Sequence, residues 1–267
     1  MLQRDPKSHK GQNGRVAIIG GSHRFHGAPI FSALAAEASG VDLMFPVVHR
    51  CHEGVTRMAS FNFIVHTFKE NSLTPADAER ILSLLEHVDA CVIGPGMAET
   101  PENVEAISRI VFGAHCTLIL DAAALHPSVL GSLTKEHTVI LTPHQGELAR
   151  LVQRDLQDLP RKEVTSLVEL LSGEHRATVL LKGAEDFIAW AGEKRIVRGG
   201  NAGLTKGGTG DALTGLIAGL VAQRIDPFEA CVLGTTIIKK AGAQLFKKKG
   251  YAYTTWEVIG LIPELLR

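Results

Sequence analysis

Short apolar runs recur along the chain, each stopped by glycine, proline or a polar turn. Residues 16–19, 41–48, 61–68, 90–93, 117–120, 138–141 and 178–181 read as strands, the tightest of them continuously apolar. Residues 187–190 and 194–197 read as a hairpin about Ala191, Gly192 and Glu193. Between these runs the apolar positions shift to helical spacing. One such pattern opens at Gly27-Ala28-Pro29, continues through Ile30, Leu34 and Ala38, and ends at Gly40. Another covers 75–86, with Thr74 as N-cap and Pro75 in first position. Further helices are predicted over 163–171, 211–223, 227–247 and 256–266. Strands alternating with helices predict an α/β fold, with a mostly parallel sheet covered on both faces. In such a sheet the turns after the strands gather along one edge, where ligands bind.

The stretch 199–220, GGNAGLTKGGTGDALTGLIAGL, breaks this rhythm. Its first half is glycine-rich loop and its second half an apolar helix. Free amides at a helix start, approached without side chains in the way, make an anion site. Phosphate is therefore expected on the amides of Asn201 to Gly210, and Gly208→Val is expected to weaken it. Asp211 stands where the helix is predicted to begin. It has two readings there, a cap of the first turn and a base beside a bound phosphate. The helix start is expected to favour its ionised form.

Other polar groups follow strands. Gly94-Pro95-Gly96-Met97 is a rigid turn after 90–93, Asp121 ends 117–120, and Thr142-Pro143-His144-Gln145-Gly146-Glu147 follows 138–141. Lys182 ends 178–181 and suits a nucleotide phosphate. The loop is neither a Walker A motif nor a dinucleotide fingerprint, since GxxxxGK[ST] is missing and Gly208-Thr209-Gly210 lacks the third glycine in place.

Composition narrows the classes. The 267 residues hold 28 Lys+Arg against 28 Asp+Glu, a balance that argues against nucleic acid as partner. Lys247-Lys248-Lys249 suits a solvated helix end. Cys51, Cys91, Cys116 and Cys231 are far apart, with no metal or redox spacing, and are expected as buried thiols of a reducing, cytoplasmic compartment. No leader-like apolar segment opens the sequence and no run is long enough for a membrane span. The chain reads as one domain over 1–267.

Gly207-Gly208-Thr209-Gly210-Asp211, preceded by Gly200-Asn201-Ala202-Gly203, resembles the signature of the ribokinase-like superfamily. Lys10-Gly11, Gly20-Gly21-Ser22, Gly27-Ala28, the IGPG at 93–96 and the TPHQGE at 142–147 make the chain similar to the ADP/ATP-dependent NAD(P)H-hydrate dehydratases. The resemblance implies a three-layer α/β/α sandwich. It implies ADP or ATP as co-substrate with Mg2+, the S epimer of NAD(P)H hydrate as substrate, and a homo-oligomer. It places Ala28, Gly96, His144 and Asp211 at the substrate, with Asp211 the base. It places Lys182, Gly183, Ala184, Glu185, Asp186, Asn201, Gly207, Gly208, Thr209 and Gly210 at the nucleotide, and gives Glu147 a water-mediated hold on Mg2+. Three positions depart from the pattern: Phe25 stands where tyrosine is common, Asp186 where a hydroxyl residue is usual, and Asp121-Ala122-Ala123-Ala124-Leu125 lacks a second carboxylate. Asp121 is then expected to satisfy backbone groups. A vitamin-precursor kinase, with the same anion hole and base, and a non-catalytic nucleotide sensor are the alternatives.

Overall fold

The computed structural model describes residues 4–70 and 72–267 and, among them, one sheet of nine strands. These are β1 (Arg15–Gly20), β2 (Leu43–His49), β3 (His66–Phe68), β4 (Ala90–Ile93), β5 (Thr117–Leu120), β6 (Val139–Leu141), β7 (Thr178–Leu181), β8 (Asp186–Trp190) and β9 (Glu193–Val197). Their order is β3-β2-β1-β4-β5-β6-β7-β8-β9. The first seven run parallel, β8 is antiparallel to β7, and β9 is antiparallel to β8.

Alternate residues of the central strands feed two different cores. Val16 and Ile18 of β1 join one cluster, and Ala17 and Ile19 the other. Ala90 and Val92 of β4 divide from Cys91 and Ile93 in the same way. Cover on both faces is why these strands read as unbroken apolar runs.

One face carries α1 (Gly27–Ala38), the short α2 (Glu53–Ala59) and four later helices, and the other face carries α3 (Pro75–Leu85), α4 (Pro101–Gly113), α5 (Pro127–Leu130), α6 (Gln145–Leu151) and α7 (Arg161–His175). The later helices of the first face are α8 (Thr209–Ala222), α9 (Pro227–Lys249), α10 (Thr255–Gly260) and α11 (Ile262–Leu265). Helices α1 and α8 touch backbone to backbone. A Cβ on Gly215 would stand 1.9 Å from the Ser32 carbonyl oxygen, and one on Gly219 would stand 2.1 Å from Ser39 Oγ. Only glycine permits that approach.

Several predicted boundaries move. Of 61–68 only three residues form a strand. Phe63 makes a single bridge to Met44, while Phe61 is 92% exposed, so this run lies on the sheet's edge. Strand β2 starts at Leu43 because Asp42 accepts from the amides of Gly11 and Asn13. The hairpin turn is two residues, Ala191 and Gly192, both at positive φ, and Glu193 already belongs to β9. The final helix is broken by Pro263 into α10 and α11. Helix α8 begins at Thr209, two residues before Asp211. Cys91, Cys116 and Cys231 are buried thiols as expected, but Cys51 is exposed. No helix among the described residues is long and apolar enough to cross a membrane.

Candidate active site at the carboxyl edge of the sheet

Helix α8 starts on Gly208, a left-handed residue with φ +93, and no side chain caps it. A Cβ on Gly208 would stand 2.4 Å from Phe31 Cδ2, so glycine is required there by the fold before any ligand arrives. The Thr209 amide donates to the Lys206 carbonyl at 3.2 Å, and with no side-chain cap the amides of Gly210 and Asp211 are left open to an anion. Thr209 is buried, with its hydroxyl 3.4 Å from that of Thr255, while Thr255 also donates to the Gly207 carbonyl at 3.0 Å.

Asp211 sits in the first turn of α8 and does not cap it. Its backbone carbonyl accepts from the hydroxyls of Ser32 and Thr214, both at 2.9 Å. Its carboxyl faces other charges. Burial pushes it up to about 7, with Asp121 and Glu147 adding to the rise and Lys182 opposing it. The expected preference for the ionised form is therefore overturned. Loss of water and two neighbouring carboxylates outweigh the helix end.

Lys182 lies among these acids. Its Nζ is 2.7 Å from Asp121 Oδ1 and 3.9 Å from Glu147 Oε2. Burial works against its charge, but Asp121, Glu147 and Asp211 outweigh it and hold the ammonium above its ordinary range. Asp121 thus does more than satisfy backbone: it takes the lysine and the Thr142 hydroxyl, the latter at 2.9 Å. Three carboxylates around one lysine leave the cluster acidic, but among the described residues no three His, Cys, Asp or Glu side chains are gathered as a metal cage.

His144 caps α6. Its Nδ1 accepts from the amides of Gly146 and Glu147 at 3.0 and 3.2 Å, which places the proton of the neutral ring on Nε2. Glu147 in turn accepts from the His144 amide at 2.8 Å, a reciprocal cap. His144 also bridges Lys182 across the strand ends. On the other side, Gly96 lies against Ala28, since a Cβ on Gly96 would stand 3.0 Å from that of Ala28. Ser32, one turn on from Ala28, donates to the carbonyls of both Ala28 and Asp211. Ala28, Gly96, His144 and Asp211 are thus linked along one edge through Ser32, Lys182 and Glu147.

A cleft of ≈ 670 Å³ opens beside this cluster, lined among others by His144, Lys182, Gly183, Ala184, Asp186, Asn201, Thr209 and Gly210. Two predicted contacts take other partners. Glu185 turns to Arg161 and Arg198 at the surface. Asn201 is locked by its own loop: it accepts from the Gly203 amide and from Tyr253 Oη, and donates to the Gly242 carbonyl. Asp186 is buried and closes the turn after β7 by accepting from the Gly183 amide at 2.6 Å. Burial raises its carboxyl, against the pull of that amide and of Lys239.

Lys239 was missed from sequence. This buried lysine of α9 lies 3.2 Å from Asp186 Oδ2 and donates to the carbonyls of Ala184 at 2.9 Å and Gly183 at 3.4 Å. Its signal was a lysine directly after Ile237 and Ile238, on the apolar side of a helix. Ser32 carried no signal beyond helical spacing.

A family model described as NAD(P)H-hydrate dehydratase matches residues 16–264. The ADP-dependent (S)-NAD(P)H-hydrate dehydratase of Nitrosopumilus maritimus is 36% identical over 264 residues, covering 98% of this chain and 90% of its own length. The bifunctional NAD(P)H-hydrate repair enzyme of Methanothermobacter thermautotrophicus is 32% identical over 269 residues, covering 98% of this chain and 51% of its own length. The crystal structure of the Bacillus subtilis ADP/ATP-dependent NAD(P)H-hydrate dehydratase, co-crystallised with ATP and Mg2+, is similar with a TM-score of 0.85 at 26% identity, covering 99% of this chain and 93% of that one.

Proposed function

The chain belongs to the NAD(P)H-hydrate dehydratase family, and from that premise we propose that it restores NAD(P)H from the S epimer of its hydrate, consuming ADP or ATP and releasing phosphate. The observation that carries this is the uncapped amide end of α8 beside the buried carboxyl of Asp211, which faces Asp121, Lys182 and Glu147. A terminal phosphate over Gly207 to Gly210 and a substrate hydroxyl near Asp211 would share one small space.

The chemistry follows from this placement. Asp211 takes the proton of the hydroxyl on the hydrated ring. That oxygen bonds to the terminal phosphorus while the bond to the departing AMP or ADP breaks. Phosphate is a better leaving group than hydroxide. The lone pair of the ring nitrogen expels it, and loss of a proton from the adjacent carbon restores the double bond. Lys182 offers a positive charge near the transferred phosphate. Asp186 and Lys239 hold the turn on which Gly183 and Ala184 face the nucleotide.

The oxygen donors of Asp121 and Glu147 suit a Mg2+ ion bound chiefly by nucleotide phosphates and water, since the side chains alone form no cage. Mg2+ would supply charge neutralisation of the transferring phosphate. Glu147, whose carboxylate is engaged by His144, would reach it through water. The free thiols support a cytoplasmic, reducing setting. The exposed side chains of Met58, Phe61 and Ile64 support a homo-oligomer of this single catalytic domain.

Incubation with NADH hydrate and ADP or ATP tests the reading by the return of reduced-nicotinamide absorbance together with inorganic phosphate. A phosphorylated alcohol, released without absorbance return, would instead identify a kinase. Binding of nucleotide with no turnover would identify a sensor.

A further inference from the structure

The loops after β1 and β2 carry one pattern twice, His23-Arg24-Phe25-His26 and His49-Arg50-Cys51-His52. The two copies lie face to face. The ring of His23 is 5.9 Å from that of His49, and the ring of His26 is 5.2 Å from that of His52. A ring nitrogen of His52 lies 3.0 Å from the Ser22 carbonyl and ties the loops together. His49 is buried and bonded to the Cys51 thiol at 2.8 Å, so it serves as the spine on which the others pack.

These loops adjoin the substrate wall. A Cβ on Gly96 would stand 3.4 Å from Phe25 Cβ, and a groove of ≈ 380 Å³ is lined by Ser22, His23, Arg24 and Ala98, two residues beyond Gly96. The guanidinium of Arg24 lies 5.3 Å over the Phe25 ring. Among the described residues neither Arg24 nor Arg50 has a carboxylate partner. Of the nearby acids, Glu53 and Glu99 are taken by Arg57 and Arg150, while Glu70 lies on the His49 side of the cluster and is ion-paired with neither arginine. The first loop also runs directly into α1, whose first turn carries no acid.

We propose that the two loops dock the diphosphate of the dinucleotide substrate, with Arg24 and Arg50 as its principal donors. This rests on the reading that the chain acts on a hydrated nicotinamide dinucleotide. Such a substrate carries its own diphosphate, one ribose away from the reacting ring. The amides of α8 and Lys182 serve the donor nucleotide, so a second set of cations is needed. With Ala28 and Gly96 at the ring, Arg24 comes next along the same edge beside Ala98, and Arg50 follows the neighbouring strand β2. Guanidinium groups grip phosphate oxygens in pairs, which suits a chain of two phosphates.

The test is Arg24→Gln, Arg50→Gln and the double variant, with Arg57→Gln as control and melting temperatures to confirm folding. The KM for NADH hydrate is expected to rise about tenfold for each arginine lost, the scale of one hydrogen bond to a charged group. The Kd for NADH, from quenching of its fluorescence, should rise by the same factor. The KM for ADP, kcat and the control should stay within about twofold. Arg24→Lys should fall between, because it keeps charge and loses the fork. An unchanged Kd for NADH in the double variant overturns the proposal, as does a rise confined to ADP, which would move the loops to the donor. If the native chain fails to restore NADH while the double variant still binds NADH more weakly, the proposed activity falls and the dock stands.

Discussion

The ammonium of Lys182 lies 2.7 Å from Oδ1 of Asp121, and the same oxygen accepts the hydroxyl of Thr142 at 2.9 Å. A lysine from β7 and an acid from β5 thus meet across β6, whose own end supplies the threonine. The charge of Lys182 also opposes the rise that burial, Asp121 and Glu147 impose on the Asp211 carboxyl.

Lys182→Met should therefore act at a distance from the nucleotide as well as on it. With the opposing charge gone, the Asp211 carboxyl should titrate higher, and the acidic limb of the pH–rate profile should move up in pH. Breaking a buried ion pair should also cost about 3 kcal/mol of stability. Chemical denaturation and a pH–rate profile on the variant check both. A profile that stays in place would show that Lys182 does not govern the base.

The native enzyme should lose kcat/KM as pH falls below about 7, the value to which burial and neighbouring acids push Asp211. The base must be ionised to accept a proton, so the log of kcat/KM should fall with unit slope on that side. Asp211→Asn should lower turnover by about 100-fold or more and flatten this limb. Steady-state rates over pH 5 to 9, roughly the range of such a transition, decide it.

Asp211 also gives stability a sign. Its folded value lies above the ordinary 3.8, so the folded chain holds more protons than the unfolded chain between these values. Stability contributed by this group is therefore full below pH 3.8 and is lost as pH rises through about 7. Asp211→Asn, which carries no charge, should melt higher than the native chain at pH 8 and lose that advantage in acid. Thermal melts at the two pH values measure it. A variant less stable at pH 8 would show that the ionised carboxylate is held favourably in the folded chain.

The glycines of the anion loop should separate by mechanism. Gly208→Val should unfold or distort the loop, since the residue has φ +93 and its Cβ would strike Phe31. That outcome would say nothing about phosphate. Gly207→Ala meets no atom within 4 Å and has ordinary φ. It should keep its melting temperature, so any rise in Kd for ADP reports a ligand overhead. Isothermal titration with ADP is the measurement.

Lys239→Met should raise the KM for ADP or ATP by about tenfold, the scale of a lost hydrogen bond to a charged group, with kcat largely kept. The lysine fixes the carbonyls of Gly183 and Ala184 and pairs with Asp186, so its loss should free the turn proposed to hold the nucleotide. Asp186→Asn, which keeps an acceptor for the Gly183 amide, should do less. Equal losses in both, with kcat falling alongside, would indicate general damage.

Much of this was legible because local rules agreed with the fold. Thr74-Pro75 gave the start of α3, and the continuous runs of β4, β5 and β7 had the observed boundaries. Strand ends marked by Gly96, His144 and Lys182 met along one edge because parallel strands require it. The start of α8 was misread because Gly208 caps by conformation, leaving no side chain to signal the boundary. Helix α4 was passed over although Thr100-Pro101 announces it in the manner of Thr74-Pro75. The charge of Asp211 was read from its helix alone. Asp121 and Glu147 lie 90 and 64 residues before it in the chain, and spacing does not reveal such company. Lys239 and Asp186 were hidden likewise, each ordinary until the other is beside it.

The contact of α1 with α8 has a mechanical meaning. Gly215 and Gly219 let the two helices meet at backbone distance, and Ser32 joins the carbonyl of Ala28 to that of Asp211. The proposed base and substrate wall therefore stand on two helices packed as one close pair. Any adjustment to substrate and product then falls to the loops around that pair. Selection for a faster or choosier enzyme would act on the loops first, leaving the helix pair as the fixed gauge against which every ligand is measured.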